Sequence, residues 1–296
     1  MSFAPFAGAI AFPQIDPVAL SIGPLSVHWY GLAYVAGFLF AWWYARRLVS
    51  DASLWPRHKA DNLPIHPIDI DDFLVWAVIG IILGGRLGYV LFYDLPAYLE
   101  NPLRVFMLWQ GGMSFHGGML GVILAMMWWA RSRGRPWLQV TDFIAPCVPV
   151  GLASGRIGNL INGELCGGPS NTAWAIQVRC AGHEVLCFDK LHLTPGTELT
   201  PPLHPSQLYQ AALEGLLLFM LVWLFSARPR PRMAVSGLFL VCYGVFRLGV
   251  EFVRMPDVQI GYLAFGWVTM GQLLSAPMII AGVVLLLLAY RDRKPA

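Results

Sequence analysis

Seven stretches of about 20 predominantly apolar residues divide this chain. They run from about Tyr30 to Leu48, Phe73 to Phe92, Phe115 to Ala130, Val140 to Ile157, Gln207 to Phe225, Val235 to Val253, and Met270 to Tyr290. About 20 such residues cross the hydrocarbon core of a bilayer as a helix. Composition agrees. The 296 residues are 57% hydrophobic and 12% charged, against roughly 25% charged in soluble domains. So few charges cannot coat a water-exposed surface of this size. The expected fold is an all-α polytopic membrane protein with about seven transmembrane helices, residues 1–296 forming one integral membrane domain. The fourth stretch holds Pro146 and Pro149, tolerable where neighbouring groups satisfy the freed carbonyls.

Basic residues set the orientation. Arg46, Arg47, Arg57 and Lys59 follow the first span. Arg131, Arg133 and Arg135 follow the third, Arg228, Arg230 and Arg232 the fifth, and Arg291, Arg293 and Lys294 the seventh. These are 13 of the 20 Lys and Arg, whereas the opposite loops hold only Arg104, Arg179, Lys190 and Arg254. The positive-inside rule then places the C-terminus in the cytoplasm and the N-terminus outside, as an odd number of spans requires. Arg131, Arg133 and Arg135 read as topology signals, and Trp109 and Trp267 as interfacial anchors. The loop 158–206 falls outside and reads as a small extracytoplasmic head, with a strand possible over Ala173 to Val178.

No Lys or Arg precedes Arg46, so the start lacks the basic region of a cleaved signal peptide. Cys147, Cys166, Cys180, Cys187 and Cys242 form no C-x-x-C pair, which leaves zinc and thioredoxin-type chemistry without support. Cys180 and Cys187 share the outer loop, where either a disulfide or two free thiols is compatible with the sequence.

Three arginines stand inside apolar spans: Arg86, Arg156 and Arg247. A charge there is costly and marks a functional site by default. Each comes late in a span that runs outward, so all three belong to the outer half of the bilayer. Each opens the same pattern, Arg86-Leu87-Gly88, Arg156-Ile157-Gly158 and Arg247-Leu248-Gly249, whose glycine admits a close neighbour. The unequal spacings argue against a true repeat. Other polar residues share that level: His28, Tyr30, Tyr89, His116, Asn159, Asn162, Glu164, His204, Ser206, Gln207, with Glu214 slightly deeper. Tyr243 and Glu251 flank Arg247 at i−4 and i+4, on its face of the helix. Guanidinium groups grip phosphate through paired hydrogen bonds, and the abundant anion at that depth is a phospholipid. A purely structural ion-pair network, such as Arg247 with Glu251, is the bland alternative.

Several other classes fit less well. GLASGRIG around Ser154 is not a nucleophile elbow, which needs G-x-S-x-G. FHGGM at His116 has no matching nucleophile. Neither a metalloprotease motif nor a Walker loop occurs, so no metal, cofactor or nucleic acid is expected. A transporter would place its charges near the midplane. A non-catalytic lipid scaffold would need the arginines but not His116.

The run GRIGNLINGELCGG from Gly155 to Gly168 resembles the signature of the prolipoprotein diacylglyceryl transferase family. So do HWYG at His28, GGRLGYVLFYD at Gly84, GGMSFHGG at Gly111, HPSQLYQ at His204, YGVFRLGVEFVRMPD at Tyr243 and MGQLLSAPM at Met270. The resemblance covers nearly the whole chain in order. It departs at Cys166, where many members carry Trp, and at Cys180 and Cys187 in a short head. It implies a multi-pass bacterial inner-membrane transferase with a periplasmic head at 158–206. That enzyme moves the diacylglyceryl group of phosphatidylglycerol to the lipobox cysteine of a prolipoprotein, releasing glycerol phosphate. The partners implied are phosphatidylglycerol, prolipoprotein signal peptides and membrane lipids.

That chemistry needs a base for the thiol and stabilisation for the departing phosphate. His116 suits the first role, because imidazole titrates near neutrality. Arg156 and Arg247 suit the second, with Arg86 as a helper. Asn159 and Asn162 are expected to orient oxygens. Glu164 and Glu251 are expected to fix the arginines, or Glu164 to polarise His116. Tyr30 and Tyr243 are expected to donate to the headgroup, with His28, Tyr89 and Gly167 lining the same site.

Overall fold

The computed structural model describes residues 9–13, 15–23, 25–51, 66–256 and 261–291. Arg57, Lys59, Arg293 and Lys294 of the topology argument lie outside them. The described chain is mostly helical. It contains α1 (Trp29–Ser50), α2 (Pro67–Phe92), α3 (Leu95–Glu100), α4 (Phe115–Ser132), α5 (Trp137–Ile144), α6 (Val148–Ile161), α7 (Ser206–Gln210), α8 (Leu218–Ser226), α9 (Ala234–Glu251) and α10 (Met270–Arg291). All seven apolar stretches are therefore helical. Five helical segments are long and apolar enough to cross a membrane: Pro67–Phe92, Trp137–Ile161, Ser206–Ser226, Ala234–Glu251 and Met270–Arg291.

Two of these segments depart from a regular α-helix. Ala145–Cys147 forms a 3-10 turn between α5 and α6, where Pro146 cannot donate to the ladder and Pro149 follows. Ala211–Leu217 is a π-helix between α7 and α8, a geometry frequent at functional sites.

The chain forms two compact units, residues 42–144 and residues 1–41 with 145–296. In the first, α2 and α4 pack closely. A Cβ on Gly84 would lie 2.3 Å from the Gly117 carbonyl oxygen, and one on Gly121 would lie 1.9 Å from that of Gly80. Without side chains on these faces the backbones approach as in small-residue packing of membrane helices. Phe73, Ala77, Met126, Trp129, Ala130 and Val140 form a core in this unit. Its ion pairs give Arg133 and Arg135 a structural contact beside their place in the topology argument. Arg133 bridges Asp69 and Asp72, Arg135 stands 4.0 Å from Asp69, and Arg46 binds Asp71 at 2.5 Å.

In the second unit, β1 (Ile10–Ala11) pairs in parallel with β4 (Ile176–Gln177), and β2 (Val18–Ile22) pairs antiparallel with β3 (Leu25–His28). The strand expected over Ala173 to Val178 is thus present but two residues long. Phe12, Cys166, Ile176, Val178, Leu186 and Leu203 form a small core there. Cys180 and Cys187 are disulfide-bonded, which resolves the two options left open by the sequence. The bond closes a short loop that holds His183. The His183 ring lies where a Cβ on Gly163 would be, 2.0 Å from its Nε2, and Gly163 has φ +66°. Both facts restrict that position to glycine.

Candidate active site

Arg156 sits near the end of α6, Arg247 near the end of α9, and Glu214 in the π-helix between them in sequence. The three converge. Arg156 Nη2 lies 3.7 Å from Glu214 Oε2, and Arg247 Nη1 lies 3.8 Å from Glu214 Oε1. Glu214 is 0% exposed. Neither of its carboxylate oxygens, nor Arg247 Nη1, has a hydrogen-bond partner among the described residues. The contacts are therefore ionic but too long for hydrogen bonds.

The π-helical turn seats this carboxylate against α6. Gly215 follows it, and a Cβ there would meet Ala153 Cβ at 2.4 Å. In the sequence Glu214 stands out only as a deeper polar neighbour of the arginines. The signal available was an acidic residue in a span with no cation at helical spacing on its own helix.

Glu251 is the opposite case. Its Oε1 accepts from Arg247 Nη2 at 2.7 Å and from Arg254 Nη1 at 2.9 Å, and its Oε2 accepts from Thr269 at 2.6 Å. Gly271 makes room, since a Cβ there would fall 2.4 Å from the Glu251 carboxyl carbon. The i+4 placement expected from sequence thus brings Arg247 and Glu251 into contact. Arg254, counted only as a loop charge, belongs to the cluster too. The set holds three half-buried guanidinium groups, Arg156, Arg247 and Arg254, around two buried carboxylates, Glu214 and Glu251.

The turn after α6 extends the cluster. Arg156 Nη1 donates to Asn159 Oδ1 at 3.4 Å, and Asn159 and Asn162 each donate to Glu164 at 3.4 Å. Gly167 hydrogen-bonds through its N–H to the His204 carbonyl at 2.8 Å. A Cβ there would strike Val253 O at 2.6 Å and His204 Cβ at 2.7 Å. Gln207 Nε2 donates to the Glu164 carbonyl and, at 3.2 Å, to Cys166 Sγ. Ser206 Oγ donates to the Leu165 carbonyl at 2.6 Å. The segment 204–207 therefore clamps the turn 163–167. Burial pushes the Cys166 thiol pKa up and pulls that of the His204 imidazole down, so both groups favour their neutral forms.

Tyr30 packs on the same helix end. A Cβ on Gly158 would meet its ring at 2.9 Å, and its hydroxyl lies 3.0 Å from that of Tyr34. His28 ends β3 and is exposed. The Tyr243 ring stacks on Phe239. Of the three R-x-G glycines, Gly88 and Gly158 admit close neighbours, whereas Gly249 faces open space.

His116, Arg86 and Tyr89 belong to the unit of residues 42–144. His116 is exposed in the first turn of α4. Arg86 is buried, at 3% exposure. Its guanidinium donates to the carbonyls of Val105 at 2.9 Å, Gly112 at 3.0 Å and Met107 at 3.1 Å, and to those of Arg104 and Gly111. This fork is saturated by main chain and fixes the segment 104–112. Tyr89 stacks on Tyr93 beside it.

A mostly helical chain with five segments long and apolar enough to cross a membrane, two of which carry Arg156 and Arg247, has the make-up of a polytopic membrane protein. The profile of the prolipoprotein diacylglyceryl transferase family matches residues 17–288. The chain is 52% identical over 283 residues to the phosphatidylglycerol–prolipoprotein diacylglyceryl transferase of Azotobacter vinelandii, covering 95% of this chain and 97% of that protein. Enzymes of the same name from Pseudomonas putida and Pseudomonas aeruginosa are 52% and 50% identical, over 97% and 95% of this chain and 98% and 96% of theirs. The chain belongs to the prolipoprotein diacylglyceryl transferase family.

Proposed function

We infer that the chain transfers the diacylglyceryl group of phosphatidylglycerol to the thiol of a prolipoprotein's lipobox cysteine. This is the first step of lipoprotein maturation. The sulfur–carbon bond forms at the terminal glycerol carbon. The carbon–oxygen bond to phosphate breaks, and glycerol phosphate leaves. The observation that carries the reading is the convergence of Arg156 and Arg247 with donor capacity left over: Arg247 Nη1 is buried without a hydrogen-bond partner. A phosphodiester oxygen accepts from such donors, and the leaving phosphate needs them more as its charge grows. Glu214 bridges the two forks, Glu251 fixes Arg247, and Asn159 orients Arg156. His116 takes the thiol proton, since the thiolate and not the thiol attacks.

The same reading takes α1 and α4 as spans, giving seven, with residues 158–206 as a periplasmic head. The N-terminus is periplasmic and the C-terminus cytoplasmic, in a bacterial inner membrane. His28, Tyr30, Asn162, Glu164, Gly167 and Tyr243 support the lipid from around the cluster, Tyr89 is a further lipid-supporting residue, and Arg86 shapes the loop beside Tyr89. The test uses purified protein, labelled phosphatidylglycerol and a lipobox peptide. A diacylglyceryl thioether is expected, absent when the peptide cysteine is replaced by serine. Transport of intact lipid without thioether formation would mean a different function.

A further inference from the structure

Gln210 ends α7 with 0% exposure, and neither its Nε2 nor its Oε1 has a hydrogen-bond partner among the described residues. A buried amide left unpaired is strongly disfavoured. Gln207 and Gln210 share a face of α7 at i and i+3, Glu214 follows in the π-helical turn, and all three are 0% exposed. Glu214 reaches Arg156 and Arg247, and α7 packs on α6 and α9, the helices bearing them.

The buried atoms of this cluster that lack hydrogen-bond partners sort by chemistry. Arg247 Nη1 and Gln210 Nε2 are donors, whereas Gln207 Oε1, Gln210 Oε1 and both Glu214 oxygens are acceptors. A phosphodiester offers only acceptors, so it pairs with the two donors and leaves the four acceptors unmatched. The acceptors need O–H or N–H groups from the ligand. A cationic amine headgroup would bring them at the cost of facing two arginines. Neutral hydroxyls bring them without that repulsion, and each also accepts a hydrogen bond.

We propose that Gln210, with the carbonyl of Gln207 and the carboxylate of Glu214, recognises the hydroxyls of the lipid's headgroup glycerol while Arg156 and Arg247 hold its phosphate. This assignment rests on the transferase reading above and makes Gln210 a specificity-determining residue of that site.

The experiment compares two lipids in the purified enzyme: phosphatidylglycerol, and phosphatidylpropanol, which keeps the phosphodiester charge and lacks both headgroup hydroxyls. The wild-type protein is expected to favour phosphatidylglycerol in kcat/KM by about tenfold or more, as two lost hydrogen bonds in a buried polar site imply. Gln210→Met keeps the side chain's length and removes its hydrogen bonding. It is expected to lower kcat/KM for phosphatidylglycerol by about tenfold and to leave that for phosphatidylpropanol within about twofold. Equal losses on both lipids would show a packing role and overturn the proposal. Equal use of both lipids by the wild-type protein would also overturn it, with water rather than the headgroup on these acceptors. Absence of thioether from both lipids would remove the transferase reading itself, so the two failures are distinct.

Discussion

Arg156 and Arg247 approach one buried carboxylate and are not saturated by it, whereas Arg86 is saturated by five carbonyls. The difference separates a fork available to a ligand from a fork that holds a loop. Arg156→Lys is expected to lower turnover by about 100-fold or more, because a point charge cannot reproduce two aligned donors on a developing phosphate. Steady-state transfer to a lipobox peptide measures it, and near-normal turnover would remove the bidentate role. His116→Gln is expected to abolish transfer while phosphatidylglycerol binding stays near normal, since the proton acceptor is lost and the phosphate grip is not. A variant that still turns over with an unchanged pH profile would exclude His116 as the base. The buried arginines were legible in the sequence because charge inside an apolar run needs no alignment to be noticed. Their partners were legible only at helical spacing. Glu251 sits at i+4 from Arg247 and was found, whereas Glu214 comes from another helix and no local spacing relates it to either arginine. What Arg86 binds was hidden altogether, since main-chain carbonyls carry no sequence signature.

Among elements, the apolar stretches predicted the helices to within a few residues, except that α2 begins at Pro67 rather than near Phe73. Its first two turns carry Asp69, Asp71 and Asp72, which a hydropathy reading trims away and which Arg46 and Arg133 neutralise. The proline pair in the fourth span announced the break now seen at Ala145–Cys147. The π-helix at Ala211–Leu217 had no such herald, because i→i+5 bonding is imposed by neighbours and not by residue type. Glycine spacing was also visible and went unused. Gly80, Gly84 and Gly88 on α2 meet Gly117 and Gly121 on α4. Gly121→Ala puts a methyl 1.9 Å from the Gly80 carbonyl oxygen, a clash with backbone that no rotamer relieves. It is expected to destabilise the protein by about 1–3 kcal/mol, read as a lowered Tm in detergent. Gly249→Ala has open space around it and serves as the control. A Gly121 variant as stable as that control would mean the two helices do not pack as closely as described.

For the whole molecule, membrane orientation decides which leaflet supplies the lipid. The helix ends that carry Arg156 and Arg247 are the C-terminal ends of α6 and α9. The basic clusters follow the C-terminal ends of the apolar segments that alternate with them in the chain. The two sets therefore belong to opposite membrane faces if each segment crosses once. On the proposed orientation, positive-inside bias assigns the basic set to the cytoplasm and the arginine–carboxylate cluster to the outer side. The Cys180–Cys187 disulfide supports the same assignment, because it lies in the loop after α6 and such bonds persist in oxidising compartments. An alkaline phosphatase inserted at Gly182 is accordingly expected to be active, and a green fluorescent protein fused after Ala296 is expected to fluoresce, both in intact cells. Inactive phosphatase at Gly182 with a dark C-terminal fusion would invert the molecule. The guanidinium groups would then face the cytoplasmic leaflet, away from any secreted precursor thiol. The same pair tests the parity of crossings after Gly182. Three crossings put the two reporters on opposite sides, whereas loss of one of them would put both on the same side.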